Sequence, residues 1–247
     1  GFENDYDLFV LYDPSRIDPK LMDRAVRRVH NELARLGNMP HHRIAEQVGH
    51  FAVSIDELGA YLDRGDPDDF IERSELLGSR MVLGGSALHR DFLNRIIRQR
   101  IFRENGKLIQ ALGREIRERH AADEASSGLD LKQGKGGLFD ITLLLCLLKA
   151  YYEIYEPEDA RTFRSLQKMD KSHAGDYRIL YQARRFLIDV RGILKLTGYT
   201  EVVDEPMDLR YPARIFGFRE PRHLVDKVSA SMEKAAEISD RLLEDFL

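Results

Sequence analysis

The chain has 247 residues, 43% hydrophobic and 32% charged, with a formal net charge of −4; this excludes a disordered polymer and a broadly basic nucleic-acid binder, so any anion site must be local. The length suffices for one large domain or two modest ones with a real core. The single cysteine, Cys146, rules out an internal disulfide and sits inside LLLCLLK as a small hydrophobe, and the longest apolar stretch, Ile141 to Leu148, is far short of the roughly 20 residues of a membrane span.

The chain opens GFENDYDLFVLYDP, without an initiator methionine or a signal peptide, which suggests a segment of a longer, cytoplasmic protein. DLFVLYD reads as a strand. Side chains two apart on a strand share a face, so Asp5 and Asp7 are expected to project together. Two neighbouring carboxylates repel unless a cation lies between them, and oxygen pairs of this kind suit a divalent ion. The plainer reading is a pair of solvated charges where the strand begins.

DPKLMDRAVRRVHNELARLG predicts a helix with Met22, Val26, Val29, Leu33 and Leu36 on one stripe, stopping at Gly37. NMPHHR reads as a connector. His41 and His42 are adjacent and lack a third histidine or a cysteine, which makes them a poor zinc site. VGHFAVS alternates like a strand, with His50 expected to be packed or hydrogen-bonded, and Ser54 with Glu57 predicts a capping box on a helix from Ile55 to about Asp63.

From Gly65 onward the pattern is helical. PDDFIERSELLGSRMVL, SALHRDFLNRIIRQRIF and GKLIQALGREIRERHAAD are charged amphipathic segments, followed by a polar loop expected at 120–128. The most apolar helix is expected from Leu138 to about Tyr155, with Tyr151, Tyr152 and Tyr155 at its core edge. Tyr177, Leu180, Tyr181, Arg184, Leu187, Val190 and Leu194 form one later stripe; Leu224, Val228, Met232, Ala235, Ile238, Leu242 and Phe246 form another. The expected fold class is α+β: a small mixed sheet with helices over 1–64, then a mostly antiparallel helical bundle over 65–247.

GLDLKQGKGGLFDI, Gly128 to Ile141, places Gly134, Gly136 and Gly137 around Lys135, after Lys132 and ahead of the apolar helix. Glycines let backbone amides approach an anion, and a helix start favours negative charge, so a phosphate fits there. The spacing is not that of a P-loop, and the same glycines suit an ordinary turn.

As a whole, DLKQGKGGLFDI resembles a segment shared by glutamine synthetase adenylyltransferase and PII uridylyltransferase, two related bacterial nucleotidyltransferases. VGHFAVSIDELGAYL, ELLGSRMVLGGSALHRDFL, RRFLIDVRGILKLTGY and MDLRYPARIFGF resemble further uridylyltransferase segments, in the same order. NDYDLFVL is similar to the strand on which such enzymes carry an Asp-x-Asp pair. The resemblance implies a nucleotidyltransferase-type sheet, Asp5 and Asp7 as catalytic metal ligands for Mg2+ or Mn2+, and ATP or UTP as nucleotide donor. It implies transfer of a nucleoside monophosphate to a hydroxyl, such as a tyrosine of a partner protein. Lys132, Gly134, Gly136, Gly137, Arg80 and Asp140 are the corresponding nucleotide-site residues. Arg80 and Arg191 match family arginines, although an arginine within a bundle also suits a buried carboxylate. Asp140 is open to three roles: holding the loop, capping the helix or reaching a metal.

The chain departs from the family pattern in three places. Only Gly1, Phe2 and Glu3 precede Asn4, where the family has a glycine turn about ten residues upstream. A third carboxylate has two candidates, Glu46 and Asp56. The arginine of the family's Val-Arg-Thr core is replaced within AVSID. These departures leave a second expectation, a catalytically silent nucleotidyltransferase fold serving as a regulatory or binding module.

Overall fold

The computed structural model describes residues 5–37, 39–66, 69–123, 129–198, 202–203 and 209–247. They fall in two compact units, Gly1–Leu108 and Ile109–Leu247. The change in composition read at 64/65 lies inside the first unit.

In the first unit, β1 (Asp5–Asp7) pairs in parallel with β3 (Met39–His41), and β2 (Val10–Tyr12) pairs in parallel with β4 (Ala52–Ser54). The single strand expected over Asp7–Asp13 is therefore broken at Leu8 and Phe9, where the Leu8 amide donates to the His41 carbonyl at 2.8 Å. The supposed connector NMPHHR supplies β3. Pro40 is tolerated there because a two-stranded pair has no central strand whose ladder needs its missing N–H.

Parallel pairing requires a crossover, which α1 (Pro19–Arg35) provides. Asp18 caps it by accepting the Leu21 amide at 3.0 Å, and Pro19 fills the first helical position. Val26 is buried with Tyr12 and Ala52, and Met22, Val10 and Phe51 pack around them. Val29 and Leu36, expected on the stripe, are exposed. Three residues beyond Val26 lies about 60° to one side of it and four lies about 40° to the other. His30 accordingly takes the inward place, its ring 5.1 Å from that of His42 and 5.5 Å from that of Phe51.

The short α2 (Arg43–Val48) precedes β4. The capping box on α3 (Ile55–Leu62) is present in full: the Ser54 amide donates to Glu57 Oε2 at 2.7 Å, and the Glu57 amide donates to Ser54 Oγ at 3.2 Å. α4 (Phe70–Gly78) is tied in by Arg73, which donates to Asp69, to the Leu62 carbonyl and to the Arg100 carbonyl at 2.7–2.9 Å. α5 (Ser86–Asp91) runs into a π-helical segment, Phe92–Phe102. Its buried residues Phe92, Ile96, Ile97, Ile101 and Phe102 recur every four to five positions, which suits the wider i→i+5 turn.

The second unit takes in nearly all of α6 (Asn105–Asp123). Residues 120–123 are thus helical rather than looped, and the remainder of the expected loop, 124–128, lies outside the described residues. β5 (Leu129–Asp130) pairs antiparallel with β6 (Val202–Val203). α7 (Leu138–Tyr151) is apolar on all sides and buried along nearly its whole length, as such a composition requires. It stops short of Tyr155 because Tyr152 leaves helical geometry and Glu153 adopts φ +53°.

α8 (Asp159–Met169) packs on α9 (Ala174–Leu196); α7 and α11 (Pro221–Phe246) also pack on α9, and α10 (Arg210–Ile215) joins α9 and α11. Both stripes are inward: Tyr177, Leu180, Leu187, Val190 and Leu194 on α9, and Leu224, Val228, Met232, Ala235, Ile238 and Leu242 on α11, are all buried. The fold is α+β with a helical bundle.

Candidate functional site

In the first unit, Asp5 and Asp7 lie on β1 in register with Met39 and His41, and the Asp7 side chain is exposed. Its electrostatic neighbours come from α2 and α4. Arg43 donates to Glu72 Oε1 at 2.9 Å and stands 3.9 Å from Glu75 Oε1. Burial, reinforced by the negative charge of Asp7, pushes the Glu75 carboxyl up to about 7, while Arg43 opposes the rise. Acidic groups Asp7, Glu72 and Glu75 thus share the field of one guanidinium. Glu75 was not legible as a partner of Asp7, because in FIERSELLG it reads as one more polar position of an amphipathic helix.

The two candidates for a third carboxylate are placed differently. Glu46 is exposed on α2, and Asp56 is exposed at the start of α3, ion-paired with Arg95. Arg80 is exposed just beyond α4, followed by the exposed Met81, Val82 and Leu83. His41 is exposed, and His42 is buried with neither ring nitrogen hydrogen-bonded. His50, expected to be packed or hydrogen-bonded, precedes β4 and is exposed. Among the described residues no set of three or more His, Cys, Asp or Glu side chains is arranged to hold a metal.

In the second unit, the turn from Asp130 to Leu138 brings Lys132, Gly134, Gly136, Gly137 and Asp140 together. Asp130 Oδ1 accepts the amides of Lys132 and Gln133, both at 2.8 Å. The Gly134 amide donates to the Asp130 carbonyl, Gly137 to Gly134, Leu138 to Leu131 and Phe139 to Lys132, at 2.8–3.0 Å. The Gly136 amide donates to Asp140 Oδ2 at 2.9 Å. These amides, expected to cradle a phosphate, are used within the protein. The glycines serve close packing instead. Gly136 has φ +73°, and a Cβ built on it would lie 2.0 Å from the Met232 carbonyl oxygen of α11. On Gly137 it would lie 2.7 Å from the Gly134 carbonyl.

Asp140 is the centre of this arrangement and is only 1% exposed. Oδ1 accepts Arg119 Nε at 3.0 Å; Oδ2 accepts the Gly136 amide and lies 2.9 Å from His120 Nε2. Burial acts to raise this carboxyl, but the bonds from His120, Arg119 and Gly136 hold it below the usual carboxylate range. Of the three roles open to Asp140, the hydrogen bonds fit holding the loop. Arg119 also donates to the Gln133 carbonyl at 2.7 Å and lies over the Phe139 ring at 4.6 Å. On the far side, His120 Nδ1 lies 2.9 Å from Asp240 Oδ1 of α11, and Lys135 Nζ is 3.5 Å from Asp240 Oδ2. Lys132 is exposed. Arg119, His120 and Asp240 carried no sequence signal, since RERHAAD reads as a helix end and ISDRLLEDF as part of a bundle stripe.

The model of the GlnD PII-uridylyltransferase family matches residues 107–247, nearly the span of the second unit and more than half of the chain. The chain is similar to two curated bifunctional uridylyltransferase/uridylyl-removing enzymes. With that of Rhodopseudomonas palustris it shares 28% identity over 135 residues, covering 49% of this chain and 14% of that protein. With that of Nitrosococcus oceani it shares 23% over 222 residues, covering 83% of this chain and 24% of the relative. It therefore spans a quarter or less of the length of either. Among the described residues no helix is long and apolar enough to cross a membrane. With more than half its length matched, including the glycine turn and the Asp140 network, the chain belongs to the GlnD PII-uridylyltransferase family.

Proposed function

We propose that the chain is a nucleotidyltransferase module that moves a nucleoside monophosphate, UMP by analogy with the name of its relatives, from a nucleoside triphosphate to a hydroxyl of a protein partner. The observation that carries this reading is the aspartate pair on β1 in a chain of this family, with Asp7 exposed and within the field of Arg43 and Glu75.

Carboxylate oxygens suit a hard divalent cation, so Asp5 and Asp7 would hold Mg2+. That ion supplies charge neutralisation on the triphosphate and on the departing pyrophosphate. The protein's share is positioning and electrostatics. Arg80, an exposed cation of the same unit, is assigned to phosphate oxygens. In the second unit, Gly134, Gly136, Gly137 and Asp140 set the shape of the turn that carries the exposed Lys132.

The test is labelling. The chain is incubated with Mg2+, a bacterial lysate and UTP or ATP labelled at the α-phosphate, beside Asp5→Asn and Asp7→Asn. Label transferred by the natural chain and lost in both variants is expected. Equal labelling by all three proteins would remove the aspartates from the mechanism, and no labelling by any would contradict the activity.

A further inference from the structure

We propose that the last two turns of α11 form a proton-dependent latch, seated while His120 and His173 are imidazolium ions and released when the rings become neutral. The geometry is the same at both places. His120 has Asp140 Oδ2 at 2.9 Å from Nε2 and Asp240 Oδ1 at 2.9 Å from Nδ1. His173 has Asp170 Oδ2 at 2.7 Å from Nδ1 and Asp245 Oδ2 at 3.0 Å from Nε2. Each ring lies between a carboxylate of its own neighbourhood and a carboxylate of α11. A neutral imidazole carries one N–H and one lone pair, whereas ionised carboxylates only accept. Only the doubly protonated ring satisfies both neighbours.

Asp240 and Asp245 are five residues apart, about 140° around the helix, so the end of α11 is held from two sides. One side is α6 with the start of α7; the other is the corner between α8 and α9. The charged and titratable groups around each ring favour the cation. At His120 these are Asp140 and Asp240, with Arg119 on the other oxygen of Asp140 and Lys135 near the other oxygen of Asp240. At His173 they are Asp170 and Asp245, with the Tyr152 and Tyr177 hydroxyls both donating to Asp170 at 2.7 Å. Ser172 also donates to Asp170, and Arg241 of α11 pairs with Asp176 of α9. The Phe246 ring packs on His173, Tyr151 and Tyr152 at 4.6–5.9 Å, so the end of the helix is seated by these groups together.

Burial acts to lower both histidines, but the carboxylates on either side prevail and hold them above their ordinary value. A raised folded-state value fixes the sign. The stabilisation is complete below about 6.5, the unfolded value, and is lost as the pH rises through the folded one. The latch therefore opens as the pH rises above about 6.5 through the raised values. Opening also detaches Asp240 from Lys135, which lies in the glycine turn.

The experiment is amide hydrogen exchange on the whole chain between about pH 6 and about pH 9, corrected at each pH for intrinsic exchange. Peptides covering 236–247 are compared with peptides from the interior of α9 in the same sample. Protection of 236–247 is expected to fall about tenfold for each bridge lost as the pH rises, with α9 unchanged. In Asp240→Asn/Asp245→Asn this step is expected to vanish. A flat profile in the natural chain, or the same step in the variant, would overturn the latch. Nitrogen-15 spectra of the natural chain read the rings directly and need no variant. Rings that titrate above about 6.5 support the proposal; an ordinary midpoint overturns it. Neither readout depends on nucleotide transfer.

Discussion

Replacing Gly136 by alanine tests whether the glycine turn is a packing device. The added Cβ would lie 2.0 Å from the Met232 carbonyl oxygen, 2.8 Å from its carbon and 3.0 Å from the Ala236 nitrogen, all backbone atoms of α11 that cannot rotate away. The residue also has φ +73°, where an L side chain costs about 1–2 kcal/mol. Overpacking in a dense interior adds about 1–3 kcal/mol, which gives roughly 2–5 kcal/mol in all. Against a typical stability of about 5–15 kcal/mol this is a large fraction. It lowers the melting temperature by about 4–20 °C for a chain of this size. Gly192, inside α9, is the control: nothing lies within 4 Å of the place its methyl group would take, and its φ is ordinary. Gly192→Ala is expected to stabilise by about 0.5–1 kcal/mol. Urea denaturation followed by circular dichroism measures both. A loss under about 1 kcal/mol for Gly136→Ala, or equal responses at the two sites, would refute the close approach of the turn to α11.

Two further outcomes follow from the polar networks. Asp140→Asn leaves Arg119 and His120 facing a neutral amide in a buried place, and a loss of about 3–5 kcal/mol in urea denaturation is expected; a change below about 1 kcal/mol contradicts Asp140 as the anchor of the turn. Asp170 is held low by bonds from Ser172, Tyr177, Tyr152 and His173 despite burial acting to raise it. Its contribution is therefore present above about pH 4, the unfolded value, and is lost as the pH falls further. Thermal unfolding between about pH 2 and about pH 6 is expected to show a shallower acid limb in Asp170→Asn than in the natural chain, and parallel limbs would contradict this.

The bundle was legible because its helices write their burial at a 3.6-residue period: the α9 and α11 stripes and the wholly apolar α7 face the interior as read. The capping box at Ser54 and Glu57 was legible for a similar reason, since both partners lie within one turn. What failed depends on contacts distant in sequence. Met39–His41 has no alternation of its own and becomes a strand only through pairing with Asp5–Asp7. His30 displaced Val29 from the inward stripe because His42 and Phe51 stand opposite it. The π-helical turn of Phe92–Phe102 was hidden because its apolar residues also satisfy ordinary helical spacing. At the candidate site, the glycine turn and Asp140 stood out locally, whereas Arg119 and His120 meet Asp140 from an element 20 or more residues away, and Asp240 joins through His120 from farther still.

The proposed activity requires Asp5 and Asp7 to hold a cation on a nucleoside triphosphate. Isothermal calorimetry of the chain with UTP, in the presence and absence of Mg2+, addresses it most directly when Asp7→Asn is run alongside. Mg-dependent binding in the natural chain, lost in the variant, is expected. Binding that ignores Mg2+, or that is unchanged in Asp7→Asn, would contradict it.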